Sequence, residues 1–315
     1  MIKYFKALPT IQKGILFAIG AALVSGVANF VNKNGVSAVG EPFVYTAMKN
    51  AVTAILLLGV IFAFKNIQQI RSLTKRDWMK LGIIGLIGGG ISFLLFFKGL
   101  SLTSASSASL IHKTLFIWVA LLAVPFLKEK FRWYQYGALI MLLVGNFIIA
   151  GPKSFNWGQG ETLVFIATLL WSVEFIVAKK VLKTIHPNIV AWARLSIGVV
   201  FILLFLALTG RFDNLLSASS TGWGWSMLTG AILFLFVLTW FHALKRAPAT
   251  LVTSVLVFAS PITTFLDEVF QKKALDWDSA VGSLLIISGI AVLTLSFIRN
   301  VRYRMSSPST LKPTP

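Results

Sequence analysis

The 315-residue chain has no cysteine and only 10 acidic residues, and charged residues of either sign make up just 12% of it. The missing cysteine removes disulfides, thiolate metal sites and cysteine nucleophiles from consideration. So few charges cannot clothe a water-facing surface around a core of this size, although a surface facing hydrocarbon needs none. Catalytic signatures are missing too. There is no His-Glu-x-x-His zinc helix, no glycine-rich phosphate loop ending in lysine, no Gly-x-Ser-x-Gly elbow and no metal-ligating cluster. Asp267 and Glu268 are adjacent, so on a helix they point in different directions and do not form a catalytic pair. The sequence therefore predicts neither an enzyme nor a cofactor or metal carrier. With no nucleotide-binding segment in view, any transport must run on a gradient or by exchange.

What is abundant is apolar: 57% of residues are hydrophobic and the mean hydropathy is +0.82. Runs of about 20 apolar residues recur along the chain, each long enough to cross a ~30 Å hydrocarbon core at ~1.5 Å per residue. In lipid the backbone must satisfy its own hydrogen bonds, so such runs are helices. The short alternation of a β-barrel is absent. Ten spans are predicted, at 13–31, 43–64, 81–100, 104–126, 133–150, 160–179, 188–209, 222–244, 249–271 and 277–298. The first run, preceded by Lys3 and Lys6, is too long for a signal peptide and lacks a small-residue cleavage site, so it is expected to stay.

A net charge of +19 could point to nucleic acid, but the basic residues sit in short connections between spans. Sorted by alternate connections, 20 of the 29 Lys and Arg fall on one face and 5 on the other, with Lys49, Lys98, Lys113 and Arg194 left inside spans. The sparse face takes Lys33, Lys153, Arg211, Lys272 and Lys273; the tail residue Lys312 belongs to the basic face. That asymmetry predicts a multi-pass protein of the cell (inner or plasma) membrane with both termini cytoplasmic and no nucleic-acid partner.

The chain also repeats itself. FFKGLSLTSASSASL from Phe96 aligns with WFHALKRAPATLVTS from Trp240, 144 residues later, and the same offset pairs Trp133 with Trp277 and Gly145 with Gly289. Pro42 and Pro187 each open a span with a cation seven residues on, Lys49 and Arg194, and the first and sixth spans end alike at Lys33 and Lys179. This is a duplication of five spans: 1–150, then 151–298, followed by a basic tail, 299–315. An odd number of spans per unit forces the second unit into the membrane upside down. Inverted repeats place a site near mid-membrane and permit outward-open and inward-open states.

With GLSLTSASSASL at 99–110, FLKEKFRW at 126–133 and GALIMLLVGNFII at 137–149, the chain resembles the EamA family of the drug/metabolite transporter superfamily over about residues 14–298. The resemblance implies a central cavity lined by the first four helices of each half, with the fifth and tenth helices peripheral. It also implies transport of small metabolites, amino acids or drugs, often outward. Two features depart from the family. The proline usual midway along the fourth and ninth helices is present only as Pro261, the fourth reading Leu115-Phe116-Ile117. The acid of the turn after the fourth helix is present as Glu129, while the second half has Lys272 and Lys273.

A charge at the bilayer centre costs roughly 2.5–3.5 kcal/mol on insertion scales, so buried ionisable residues mark pathways or pairs. The candidate substrate-binding residues are Lys49, Lys113, Arg194, Glu174, Asn29, His112 and Trp171, with Pro261 and Asp267 as candidate hinge and gate. Lys49 lies on a polar stripe with Tyr45 and Thr53 at helical spacing, the alternatives being a structural ion pair or a snorkelling side chain. Arg194 faces either a substrate acid or Glu174. Lys113 is expected in the cavity, beneath Ser106 and Ser109. For His112 and Trp171, packing is the competing reading. Asp267 is equally readable as a solvated rim, and Lys98 and His242 as interfacial. Since cations outnumber the one deep carboxylate, the expectation is a secondary transporter, exporting or exchanging a small polar metabolite such as an organic anion or amino acid. A coupling proton or ion, the bilayer and a second copy of the chain are candidate partners. The alternatives are a flippase for lipid or lipid-linked sugar in the same fold, and a channel or scaffold.

Overall fold

In a computed structural model, residues 8–151, 157–271 and 277–306 are described; Lys3, Lys6, Lys153, Lys272, Lys273 and Lys312 lie outside them. Ten membrane-length helices are present among the described residues. They are α1 Thr10–Val39, α2 Pro42–Ala63, α3 Lys75–Leu102, α4 Ala105–Leu127, α5 Trp133–Ala150, α6 Gln159–Val181, α7 Pro187–Leu208, α8 Ser220–Arg246, α9 Ala249–Phe270 and α10 Trp277–Ser306. The ends follow local chemistry. Gly40 at φ 77° stops α1, and Pro42 starts α2 behind Glu41, whose carboxylate accepts the Val44 N–H at 2.6 Å. Pro187 starts α7 behind the imidazole of His186, which accepts the Asn188 N–H. Thr74 and Asp77 cap α3 reciprocally.

The packing is that of two inverted five-helix repeats. A two-fold axis in the membrane plane exchanges α1 with α6 and α3 with α8, so the contact of α1 on α8 must recur as α6 on α3, and both are present. Helices α2 and α7, α4 and α9, and α5 and α10 must each meet their own mates, and all three pairs do. Small residues let the backbones approach. At the α5–α10 seam, Gly145 faces the Gly282 carbonyl and Gly289 faces that of Ala138.

Two irregularities shape the interior. In α3, Gly85–Ile91 winds as a wide π-turn, a feature that the sequence reading had not anticipated. Its glycines let α3 meet α7 backbone to backbone: a Cβ on Gly89 would lie 1.8 Å from the Arg194 carbonyl oxygen, and one on Gly198 2.3 Å from Gly89. The second irregularity is a break in both α4 and α9 at matching repeat positions. Helix α9 is interrupted at Val257 and Phe258, since Pro261 has no N–H to offer the Val257 carbonyl. Helix α4 is interrupted at Thr114 without any proline. There the Thr114 hydroxyl donates to the Ile111 carbonyl at 2.7 Å and accepts the Trp118 indole N–H at 3.2 Å, closing a tight turn. The fourth helix thus keeps the broken shape by side-chain chemistry.

The α3–α7 seam yields a direct test. Gly89→Ala is expected to lower the melting temperature of the detergent-purified protein by at least ~5 °C or to abolish a monodisperse elution peak. Gly59→Ala, at a position with nothing within 4 Å, is expected to change neither.

Candidate substrate cavity

The helix breaks and the π-turn surround a small central cavity of about 80 Å³ in the middle of the bundle. It is walled by the aromatic rings of α3 (Phe93, Phe96, Phe97), by Trp171 and Phe175 of α6, and by Asn29 and Asn32 of α1. Asn29 also lines a 630 Å³ vestibule between the ends of α1, α4, α5 and α9 on the face opposite the basic connections. Its Nδ2 is buried without a hydrogen-bond partner among the described residues. The two spaces therefore adjoin at Asn29.

Lys49 is 2% exposed, and its ammonium lies 3.6 Å from the Phe97 ring centre and 5.3 Å from those of Tyr45 and Phe93. Aromatic faces stabilise a desolvated cation by their quadrupoles. Lys49 makes no ion pair among the described residues, so of the readings open to it, pairing with a protein carboxylate is not what the structure shows. Arg194 differs. Its Nε stands 3.3 Å from Glu174 Oε2, both side chains being buried, and its guanidinium sits among Phe93, Phe175 and Phe241. The Glu174 carboxylate packs directly on Gly88, where any Cβ would come within 2.6 Å of it. The contact is chiefly one of charge, because the Arg194 Nε and both carboxylate oxygens lack well-directed hydrogen bonds.

The neighbours His112 and Lys113 divide differently from the sequence expectation. Lys113 is not itself a lining residue but donates to Ser25 Oγ at 3.2 Å, and Ser25 lines the cavity as His112 does. The His112 ring centre lies 5.0 Å from Trp171 and 5.3 Å from Phe96. Trp171 in turn donates its indole N–H to the Gly88 carbonyl at 3.0 Å, and Asn50 donates to that of Gly89 at 3.3 Å. The π-turn's carbonyls are satisfied by these side chains. Asp267 lines the vestibule with Ser260 and Thr264, and Pro261 sits just past the α9 break. Phe93, Phe96, Phe97 and the π-turn glycines were not singled out beforehand, although a GLIGGG run inside an apolar span was the available signal. Asn146 was also missed. It accepts from Ser260 Oγ at 2.8 Å and donates to the Leu110 carbonyl at 3.2 Å, so α5 is not wholly peripheral.

The two faces of the bundle are closed unequally. On the basic face, the Glu129 carboxylate accepts the Ala249 and Thr250 N–H groups at the start of α9, at 2.7 and 3.4 Å. Lys179 donates to the Leu244 and Ala247 carbonyls at the end of α8. His242, expected at the interface, instead joins a network with Asn188 at 2.9 Å and Arg246 at 2.7 Å, and Asn188 continues to Asn66. Burial, aided by Lys245 and Arg246, holds His186 below the ordinary histidine pKa, so it stays neutral and able to cap α7. On the opposite face Lys33 repeats the role of Lys179, donating to Leu100 and Thr103 at 2.6 and 3.0 Å. There, however, α4 is capped by its own Ser104, and the vestibule opens beside it.

Comparison with known proteins agrees with this architecture. The sequence profile of the EamA-like transporter family matches residues 12–151 and again 158–295. An uncharacterized transporter of Bacillus subtilis, YoaV, is 26% identical over 299 residues, covering 91% of this chain and 98% of its own length. An uncharacterized transporter of Synechocystis, sll1164, is 26% identical over 253 residues, covering 75% and 70% respectively. A solved crystal structure superimposes with a TM-score of 0.73 at 20% identity, over 91% of this chain and 98% of that one, which shows a shared fold. Two profile matches, one per five-helix half, leave one conclusion: this multi-pass membrane protein belongs to the EamA-like transporter family.

Proposed function

We propose that the protein is a gradient-driven or exchanging carrier of a small organic anion or zwitterion, such as an amino acid, and that it works by alternating access around the central cavity. The observation that carries this reading is Lys49. Its Nζ is buried deep in the bundle among rings, facing a cavity and outside any ion pair among the described residues, while Arg194 has Glu174. A substrate carboxylate supplies the missing counter-charge, and the walls of Phe93, Phe97 and Trp171 accept its apolar body. Asn29, at the junction with the vestibule, offers an unpartnered amide to the same substrate. His112 lines the cavity with its Nδ1 unpartnered among the described residues and offers that nitrogen to the substrate.

Direction follows from charge. If the basic face is cytoplasmic, as the Lys and Arg distribution favours, the vestibule opens outward and the closed side is the inner one. Opening inward requires the start of α9 to leave Glu129, with Thr114 and the Val257–Pro261 segment as the flexing points. The second half carries Lys272 and Lys273 where Glu129 has its counterpart, so the outer face has no equivalent latch in sequence. That imbalance favours rest in the outward-open state and loading from outside or exchange, with net export needing substrate to break the inner latch.

In proteoliposomes screened by counterflow against amino acids and organic acids, Lys49→Met is expected to cut transport at least ~tenfold. Lys49→Arg should retain a measurable part, and Lys113→Met, whose lysine touches the cavity only through Ser25, should retain more than Lys49→Met. Preference for lipophilic cations, or full activity of Lys49→Met, contradicts the reading. For the buried pair, Arg194→Met and Glu174→Met are each expected to lower thermal stability, and the double variant to recover much of the loss. Additive losses would separate the two residues and return Arg194 to the substrate.

A further inference from the structure

We propose that the seam between the second half of α4 and α5 is a binding site for one anionic phospholipid, with an acyl chain in the seam and the phosphate on the α4–α5 turn. The break at Thr114 tips the Leu115–Leu127 segment toward α6 and α9, while α5 is held against α10, so the two neighbours part. The result is a 430 Å³ groove along the outer flank of the bundle, lined by Phe116, Ala120, Val124, Tyr136, Ile140 and Leu143. Its lining is apolar throughout, and Leu121, Val124, Ile140 and Leu143 present exposed side chains at the depth of the hydrocarbon. A groove of that depth forfeits dispersion contacts unless an alkyl chain fills it.

The turn at its basic-face end commits the occupant to an anion. It reads Lys128-Glu129-Lys130-Phe131-Arg132, and Lys128, Lys130 and Arg132 are exposed and outside any ion pair among the described residues. Glu129 turns its carboxylate to the start of α9 and forms no ion pair with them among the described residues, so the turn keeps a net positive charge. Lys180 adds a fourth cation, 5.3 Å over the Phe126 ring at the end of α4. Trp133 and Tyr136, 84% and 53% exposed, place this end at the headgroup layer, where amphipathic rings prefer to lie. Cations clustered at this level attract an anionic headgroup and so select against a zwitterionic lipid. The groove offers no polar track for a headgroup and is separated from the central cavity by α4, so the site holds lipid and does not pass it across the membrane.

Native mass spectrometry of the detergent-purified full chain, mixed with equal dioleoyl phosphatidylglycerol and dioleoyl phosphatidylcholine, tests this. One phosphatidylglycerol should be retained at least ~fivefold over phosphatidylcholine. K128Q/K130Q/R132Q should erase that preference, whereas R71Q/K75Q/R76Q, an equal charge loss on another connection of the same face, should keep it. Val124→Trp, filling the groove at an exposed position, should reduce retention of both lipids, and soluble glycerol phosphate should not compete. Equal retention of the two lipids by the unaltered protein overturns the proposal even if a variant fails to fold. So does equal loss in both triple variants, retention undisturbed by Val124→Trp, displacement by glycerol phosphate, or a dimer that Val124→Trp dissociates without changing lipid retention.

Discussion

A full charge has no free place within a bilayer, and the interior of this protein is organised by where its charges are put. Arg194 and Glu174 neutralise each other beneath the π-turn, and the glycines of that turn exist in the space the carboxylate and the α7 backbone require. Lys33 and Lys179 bend back to cover the free carbonyls at the ends of α3 and α8, turning an insertion cost into two symmetry-related helix caps. Lys113 rests on Ser25. Among the described residues that line the cavity, Lys49 and Arg194 both lie against aromatic rings, but Arg194 has Glu174 while Lys49 has no ion-pair partner.

The same constraint links the site to movement. Wherever α4 and α9 are interrupted, backbone groups must find substitute partners, and Thr114 and Trp118 supply them in one half while the other has proline. The interruptions lie beside the cavity, which His112 and Leu115 of α4 and Leu256 of α9 help to line. Glu129 holds one of those half-helices at its start, which couples the basic-face seal to the shape of the cavity.

Much of this was legible in the sequence because hydrocarbon imposes simple rules. Apolar length fixed ten helices, and the distribution of Lys and Arg fixed their alternation. The 144-residue offset marked a duplication of five spans, while which helices meet is visible only in the fold. The first span, expected at 13–31, belongs to a helix that runs on to Val39, where Gly40 stops it; Lys33 lies inside that helix and folds back onto carbonyls. The cavity was less legible. Lys49 and Asn29 lie on stripes of polar residues; Trp171 and His112, for which packing is the competing reading, line the same cavity, and Lys113 reaches it through Ser25. The aromatic cage was invisible because phenylalanine in an apolar span carries no signal of its own.

The proposed alternating access requires a sealed basic face and an open opposite face that exchange roles through the Glu129 contact. A chain without cysteine makes the measurement clean. Single variants S106C, in the vestibule, and T250C, at the start of α9, are labelled with a membrane-impermeant maleimide from each side, with Glu129 intact or changed by E129Q. The account predicts that E129Q raises labelling of the second position from the basic side and lowers labelling of the first from the other side. Simultaneous access to both positions, or a gain at one with no loss at the other, would contradict it.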